Sequence, residues 1–239
     1  MMPWWIALQF LTSLPVSLPR MPTPQETGRS FLYYPLVGLV FALVLAALDQ
    51  MLGDGPLLLR AALLLAAWVA LTGGLHLDGL ADTADAWVGG YGDRERTLTI
   101  MKDPRSGPMA VITLVLLLLV KFAALVALLD AGEQGWLWVP LLGRVTLLGL
   151  FLTTPYVRPG GLGQALASHL PRRPAGLVLS LCLALGLVLV GQALLAGAVV
   201  FVWLRWLLLR RLGGTTGDTA GAMLECIEAA VLAGLAFSL

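Results

Sequence analysis

Long apolar runs separated by short breakers dominate the sequence. Seven of them approach or exceed the ~18 to 20 residues that an α-helix needs to cross a bilayer. They lie near residues 31–48, 57–75, 109–129, 136–153, 177–190, 194–209 and 219–237. The stretch 177–209 is too long for one ordinary span, and we divide it near Gly191 and Gln192. The pattern predicts an all-α, polytopic integral membrane bundle of about seven transmembrane helices, forming a single domain over residues 1–239.

The amino terminus differs from the other apolar segments. It has no basic region and no small-residue cleavage pattern, so we do not interpret it as a removed signal peptide. Its paired Trp4 and Trp5 are typical of a helix at the membrane interface. A proline-rich loop over residues 15–24 then leads to the first span. We therefore expect an interfacial helix ahead of the bundle.

Composition and charge support a membrane protein. Hydrophobic residues make up 59% of the chain and charged residues 12%, against roughly 25% charged in soluble domains. The net charge of +1 gives no reason to expect nucleic-acid binding. With seven spans and a cytoplasmic amino terminus, the basic loop residues all fall on one side: Arg20, Arg29, Arg94, Arg96, Lys102, Arg105, Arg158, Arg172, Arg173, Arg210 and Arg211. The positive-inside rule makes that side cytoplasmic and predicts a multi-pass protein of the cell (inner or plasma) membrane.

Two basic residues, Lys121 and Arg144, fall inside predicted spans. A charge at such a depth costs roughly 2.5 to 3.5 kcal/mol on insertion scales, so each should face the bundle interior. Two interpretations remain open here. Each residue either pairs with a structural partner or holds an anionic substrate.

The segment GGLHLDGLADTADAW carries the first candidate chemistry. A helix over residues 78–87 would place Asp78, Asp82 and Asp85 on one face, with His76 beside them. Because like charges at this spacing repel one another, the pattern favours a bound cation, and an oxygen-rich set suits Mg²⁺ or Mn²⁺ better than zinc. The alternative is a set of helix-end carboxylates that face water.

The segment GGTTGDTAGAMLECIEA has a similar layout at the start of the last span. In both segments an aspartate follows the second glycine of a pair by four positions, Asp78 in the first and Asp218 in the second. This resembles a degenerate internal repeat. Glu225 and Glu228 fall within the apolar span, where unpaired carboxylates are costly. The alternative for Asp218 is an ordinary helix cap.

Basic residues follow the first acidic segment in YGDRERTLTIMKDPRSGPMA. Basic side chains near a metal cluster are suited to holding a polyphosphate, and topology alone also explains some of them. We favour Lys102 and Arg105, which lie next to the turn formers Pro104 and Gly107. Neither GxxxxGK[ST] nor a GxGxxG before a helix occurs, so a nucleotide would not be held by those loops.

Four segments in this order, GRSFLYYPLVGLV, GGLHLDGLADTADA, IMKDPRSGPMA and GGTTGDTAGA, resemble the cobalamin synthase (adenosylcobinamide-GDP ribazoletransferase) family. The resemblance covers most of the chain. It implies a Mg²⁺-dependent membrane enzyme of late cobalamin biosynthesis. Such an enzyme joins adenosylcobinamide-GDP to α-ribazole, or to α-ribazole 5′-phosphate, and releases GMP.

Residue roles follow from the resemblance and the patterns together. One or two Mg²⁺ ions would be held by a carboxylate set: Asp78, Asp82, Asp85 and Asp218. The catalytic base would be one of His76, Asp82 and Asp85. Substrate phosphates would be held by polar residues of the two loop regions: Lys102, Arg105, Arg94 and Thr216. The active site would then lie on the cytoplasmic side, in loops near residues 76–107 and 211–218.

Two other functions remain open. A CDP-alcohol phosphotransferase would run similar chemistry, but its DGxxAR motif is absent because Ala81 is followed by Asp82. A transporter could line a path with the charged residues of the spans, although the acids cluster at one membrane face and not at mid-depth. Membrane lipid is the expected surrounding. Small residues such as Gly186 and Gly197 would permit packing in a homo-oligomer.

Overall fold

The computed structural model describes residues 1–160 and 162–239. Its α-helices are α1 (Met2–Leu11), α2 (Pro24–Ser30), α3 (Tyr34–Leu52), α4 (Leu57–Thr72), α5 (Leu75–Gly89), α6 (Arg94–Ile100), α7 (Pro108–Asp130), α8 (Val139–Thr153), α9 (Leu162–Ser168), α10 (Arg172–Val190), α11 (Ala193–Leu212) and α12 (Gly217–Ala236). Short 3-10 turns precede α3 and α8. An all-α bundle is thereby confirmed for the part of the chain described.

In the described ranges, six helical segments are long and apolar enough to cross a membrane. The first combines α2, the 3-10 turn that follows it, and α3, and another combines α8 with the 3-10 turn before it. The remaining four are α7, α10, α11 and α12. The shorter α4 raises the number to seven when it is counted with α5. The predicted division of 177–209 is confirmed, because α10 ends at Val190 and α11 begins at Ala193. Gly191 adopts a positive φ of 53°, a conformation that favours glycine.

Adjacent helices alternate in direction, so the spans share two ends. At one end of the bundle, which we name the site end, helices α3, α7, α10 and α12 begin and helices α4, α8 and α11 end. The predicted basic loops all join helices at the site end. At the opposite end Arg60 pairs with Asp49 at 2.6 Å.

A sharp bend separates α4 from α5. Gly73 and Gly74 have φ values of 63° and 73°, and the two helices meet at 86°. The bend lays α5 across the site end, where Asp85 reaches the first turn of α7 and Gly79 lies against Asp218. The predicted helix over 78–87 is therefore confirmed and longer. The region 76–107, which we had described as a loop, is mostly helical in α5 and α6.

Glycines bring α5 and α12 into close contact. A Cβ atom added to Gly79 would lie 2.7 Å from the Asp218 carbonyl oxygen, and one added to Gly221 would lie 3.1 Å from His76 Cα. The contact at Gly79 is with backbone and too short for a real Cβ atom, so this position requires a residue without a side chain, whereas a Cβ atom at Gly221 would push α5 and α12 apart by a few tenths of an ångström. The two acidic motifs of the sequence thus meet along one helix pair.

The charges predicted inside the spans form one buried ion cluster. Lys121 Nζ lies 2.6 Å from Glu225 and 2.7 Å from Glu228, while Arg144 Nη1 donates to Glu228 at 2.5 Å. All four side chains are buried. Two cations therefore balance two carboxylates, and the structure favours the structural interpretation of Lys121 and Arg144 over substrate binding.

The amino-terminal helix exists as predicted. Helix α1 packs against α2 and α3, and the Ser13 amide donates to the Leu71 carbonyl at 2.8 Å, which ties the segment to the finish of α4. The short helices α2, α6 and α9 were not predicted. Each has seven residues, too few to show an apolar period.

Candidate active site

The first acidic motif presents its side chains at different depths along α5. Asp78 is exposed, Asp82 is half-buried, and His76 is only 3% exposed. Among the described residues the Nδ1 atom of His76 has no hydrogen-bond partner. His76 therefore belongs to the interior wall of the site, while the aspartates lie nearer its opening.

Asp85 is held by the start of α7. Its Oδ2 accepts from the Gly107 amide at 2.5 Å and its Oδ1 accepts from the Ala110 amide at 3.0 Å. The first amides of a helix have no partner within the helix, so a carboxylate there acts as a cap. The three carboxylates predicted to act together on α5 therefore do not all do so. Asp85 caps α7, whereas Asp78 and Asp82 do not take part in that cap.

The second acidic motif begins α12 with a capping box. The Thr216 hydroxyl accepts from the Thr219 amide at 3.2 Å, and the Thr219 hydroxyl accepts from the Thr216 amide at 2.8 Å. Thr216 is fully buried. Its hydroxyl is therefore committed to the cap in this structure, although the sequence analysis had assigned it to substrate binding.

Asp218 is paired with a residue that the sequence analysis did not select. Arg158 Nη1 donates to Asp218 Oδ2 at 2.5 Å. The segment carrying Arg158 is fixed to the second motif, because the Val157 amide donates to the Thr215 carbonyl at 2.9 Å and the Thr215 amide donates to the Pro155 carbonyl at 2.8 Å. The sequence contains one clue to this residue, because Arg158 directly precedes the turn-forming proline and glycines of RPGGLG.

The basic residues predicted to hold phosphate lie elsewhere. The Arg105 side chain is 86% exposed and pairs with Asp103 at 2.7 Å. Lys102 is exposed, and Arg94 Nε donates to the Leu212 carbonyl at 2.8 Å, joining α6 to the finish of α11. Among the described residues that line the cavity beside the acidic motifs, Arg158 is the basic one.

The charges of the site do not balance. Partial burial raises the pKa of Asp82 to about 6, the nearby Asp78 and Asp218 add to that shift, and Arg158 opposes it. Among the described residues, the carboxylates of Asp78, Asp82 and Asp218 thus face the single guanidinium of Arg158, which favours binding of a further cation. Over residues 1–160 and 162–239, no three His, Cys, Asp or Glu side chains are already gathered as a metal site. Asp78, Asp82 and Asp218 supply the hard oxygen donors that fit Mg²⁺, whereas Asp85 is engaged by amides.

A cavity of about 420 Å³ opens beside the paired motifs. His76, Asp78, Arg158 and Asp218 contribute its polar lining. The rest is strongly aromatic, with rings from four separate parts of the chain: Phe10, Phe31, Tyr34, Phe151 and Tyr156. Neighbouring rings in this series have centroids 4.5 to 6.4 Å apart. The local sequence pattern did not predict this wall, because nothing in it relates these five positions.

These features define a class of protein: a polytopic helical membrane protein with an acidic site and an aromatic cavity across the ends of its spans. The chain matches the family described as cobalamin-5-phosphate synthase over residues 3–236. It therefore belongs to the cobalamin-5-phosphate synthase family.

Individual relatives are similar over their whole length. The chain is 65% identical over 241 residues to the adenosylcobinamide-GDP ribazoletransferase of Pseudomonas fluorescens strain Pf0-1, covering 99% of each chain. It is 65% identical over 240 residues to the enzyme of the same name from Pseudomonas putida strain F1, covering 100% of each. A third relative of that name, from Pseudomonas syringae pv. syringae strain B728a, is 62% identical over 242 residues, with 99% of each chain covered. No solved structure matches this chain.

Proposed function

We propose that this chain is an adenosylcobinamide-GDP ribazoletransferase acting late in cobalamin biosynthesis. Family membership over residues 3–236 carries the proposal, together with full-length relatives of that name. The acidic site supports it, since the reaction requires a place for a diphosphate ester and an attacking alcohol. The CDP-alcohol phosphotransferase alternative has no comparable support from the relatives.

The reaction is a displacement at phosphorus. The 3′-hydroxyl oxygen of α-ribazole, or of its 5′-phosphate, forms a bond to the phosphorus that carries the cobinamide arm. The bond from that phosphorus to the bridging oxygen breaks, and GMP leaves with the oxygen. The hydroxyl proton passes to a base of the enzyme. Positioning and charge stabilisation supply most of the catalysis in reactions of this type.

The carboxylates suit this chemistry through their number and position. Asp78 and Asp218 line the cavity opening, and Asp82 lies one helical turn beyond Asp78. Together they would hold Mg²⁺, which when bound neutralises charge on the diphosphate. A ribose hydroxyl at the opening would meet a carboxylate able to accept its proton. His76, another of the three residues predicted as the base, lies deeper in the wall of the same cavity, and Asp85, the third, caps α7.

Arg158 is the residue that we assign to the phosphate groups. It lines the main cavity and also a second cavity of about 310 Å³ beside it. An arginine can donate two parallel hydrogen bonds to phosphate oxygens, and Asp218 already orients this guanidinium. Arg158 thus takes the role that the sequence had suggested for Lys102 and Arg105.

The proposed location is the cell membrane, with the site end towards the cytoplasm. The basic loop residues lie at the site end, as the positive-inside rule requires of a cytoplasmic face. A reporter that works only outside the cytoplasm should then be active when it is fused after Leu239. A reporter inserted in the exposed turn near Tyr91 should be active only in the cytoplasm.

The test of function uses the purified full chain in detergent. With adenosylcobinamide-GDP, α-ribazole and Mg²⁺, GMP should be released in step with formation of adenosylcobalamin. Chelation of divalent metal should stop release, and added Mg²⁺ should restore it. Asp54→Asn, a change at an exposed position of the opposite end, is the control and should behave as the unmodified chain. Absence of GMP release together with substrate flux in sealed vesicles would support the transporter alternative.

A further inference from the structure

We infer that the aromatic cavity beside the acidic motifs binds the heteroaromatic base of α-ribazole and thereby selects the lower-ligand base. The inference rests on the proposed function and adds a binding site to it. Its wall consists of Phe10, Tyr34, Phe31, Phe151 and Tyr156, a continuous series of rings around one space. Flat aromatic ligands bind well between such rings because stacking adds to the burial of apolar area.

The size of the cavity decides which part of the substrates it can accept. At about 420 Å³ it falls within the roughly 300 to 1,000 Å³ of small-molecule sites. A benzimidazole with its methyl groups enters such a space with room for part of the ribose. The corrin ring with its many amide side chains is far larger, so the cobinamide portion must remain outside.

Two substrates carry a flat base, the benzimidazole of α-ribazole and the guanine of adenosylcobinamide-GDP. The apolar wall favours the benzimidazole, because it is the less polar of the two. Guanine carries several donors and acceptors on its edge, and each would lose its partner against phenyl rings. The benzimidazole of α-ribazole has one free ring nitrogen. The benzimidazole therefore leaves fewer polar atoms without partners in this cavity than guanine does.

The orientation that follows agrees with the reaction. With the base between the rings, the ribose lies at the opening, where Asp78, Arg158 and Asp218 line the same cavity. The 3′-hydroxyl then meets the carboxylates, and a 5′-phosphate has Arg158 within the same lining. Binding of the base therefore positions the nucleophile.

The principal test truncates the wall at Tyr156, which is only partly buried and stacks on Phe151. We expect Tyr156→Ala to raise the KM for α-ribazole about tenfold, because one stacking face is lost, and to change the KM for adenosylcobinamide-GDP less than about threefold. Phe201→Ala is the matched control, since Phe201 lines a separate apolar groove among α8, α10 and α11. Isothermal titration of the purified chain with α-ribazole, without metal, should show the same loss of affinity for Tyr156→Ala only.

A second variant protects the test against a folding defect. Ala220 lines the cavity from α12, so Ala220→Val should reduce the space without removing a ring. The variant should lose more activity with the dimethylbenzimidazole riboside than with the unsubstituted benzimidazole riboside. Equal effects on both ribosides, or a larger KM change for adenosylcobinamide-GDP in Tyr156→Ala, would overturn the inference. If the unmodified chain releases no GMP at all, the proposed function fails. Titration then still measures whether the cavity binds α-ribazole and whether Tyr156→Ala weakens that binding.

Discussion

Two groups of charged residues share helix α12, which contributes Asp218 to one and Glu225 and Glu228 to the other, and the two groups differ in charge balance. In the buried ion cluster, Lys121 and Arg144 face Glu225 and Glu228, and each carboxylate has a cation within 2.7 Å. At the site end, Arg158 is the one basic residue among those described that faces Asp78, Asp82 and Asp218. The first group neutralises itself, while the second retains negative charge.

The difference fits a structural role for the first group and the functional role proposed for the second. A buried ion cluster in which the charges balance holds helices in one arrangement, here α7, α8 and α12. A partly exposed carboxylate group with excess charge is unfavourable by itself and becomes favourable when a cation or a basic ligand group arrives. Substitutions in the buried ion cluster should therefore change stability, whereas substitutions at the site end should change turnover or KM.

The largest effect is expected at Asp82. Asp82→Asn should lower turnover by roughly 10⁴-fold, the upper end of what a single acid–base or charge-stabilising group supplies. Membrane insertion and thermal stability should stay close to those of the unmodified chain, because the carboxylate of Asp82 makes no salt bridge with any residue that the structure describes. GMP release and a melting curve in detergent measure the two. Near-normal turnover would remove the site-end carboxylates from the mechanism.

Glu228→Gln should have the opposite profile. It leaves Arg144 without its carboxylate partner inside the bundle, and breaking a buried pair in this way costs about 3 to 5 kcal/mol of stability. Thermal unfolding in detergent measures the loss, and protein that remains folded should keep its KM values. A variant of full stability with altered KM would instead place this cluster in substrate binding, the interpretation that the sequence had left open.

Arg158→Gln should raise the KM for adenosylcobinamide-GDP by roughly 10-fold to 150-fold, since charge-assisted bonds to phosphate contribute about 1.5 to 3 kcal/mol. Arg158→Lys should recover part of the loss. Arg60→Gln provides the matched control, because Arg60 is also paired with an aspartate but lies at the opposite end. A larger effect from Arg105→Gln would restore the prediction made from the sequence.

The smallest effect is expected at Asp85. Asp85→Asn weakens the cap on α7 and should cost about 1 kcal/mol of stability, as other helix caps do. Turnover should fall less than about tenfold. Thermal melting and GMP release again measure both quantities. A loss of turnover as deep as that of Asp82→Asn would place Asp85 back among the metal ligands.

Much of the fold could be predicted from the sequence. The apolar runs gave the spans, and the break at Gly191 followed from the length of the run, because bilayer thickness limits a helix by physical rules that act locally. The short helices α2, α6 and α9 could not be found in this way. The bend after Gly73 was likewise unforeseen, since glycine pairs permit many conformations and the surrounding packing selects one.

The sequence by itself also determined the chemistry: acidic residues at helical spacing, their repetition around Asp218, and a family resemblance that the relatives bear out. Only the tertiary structure decided which charges act together. It engaged Asp85 in a cap, brought Arg158 from a distant segment to Asp218, and gathered aromatic rings from four parts of the chain into one wall. Residue spacing along a helix is set by the backbone, but contacts between distant segments depend on how all the helices pack.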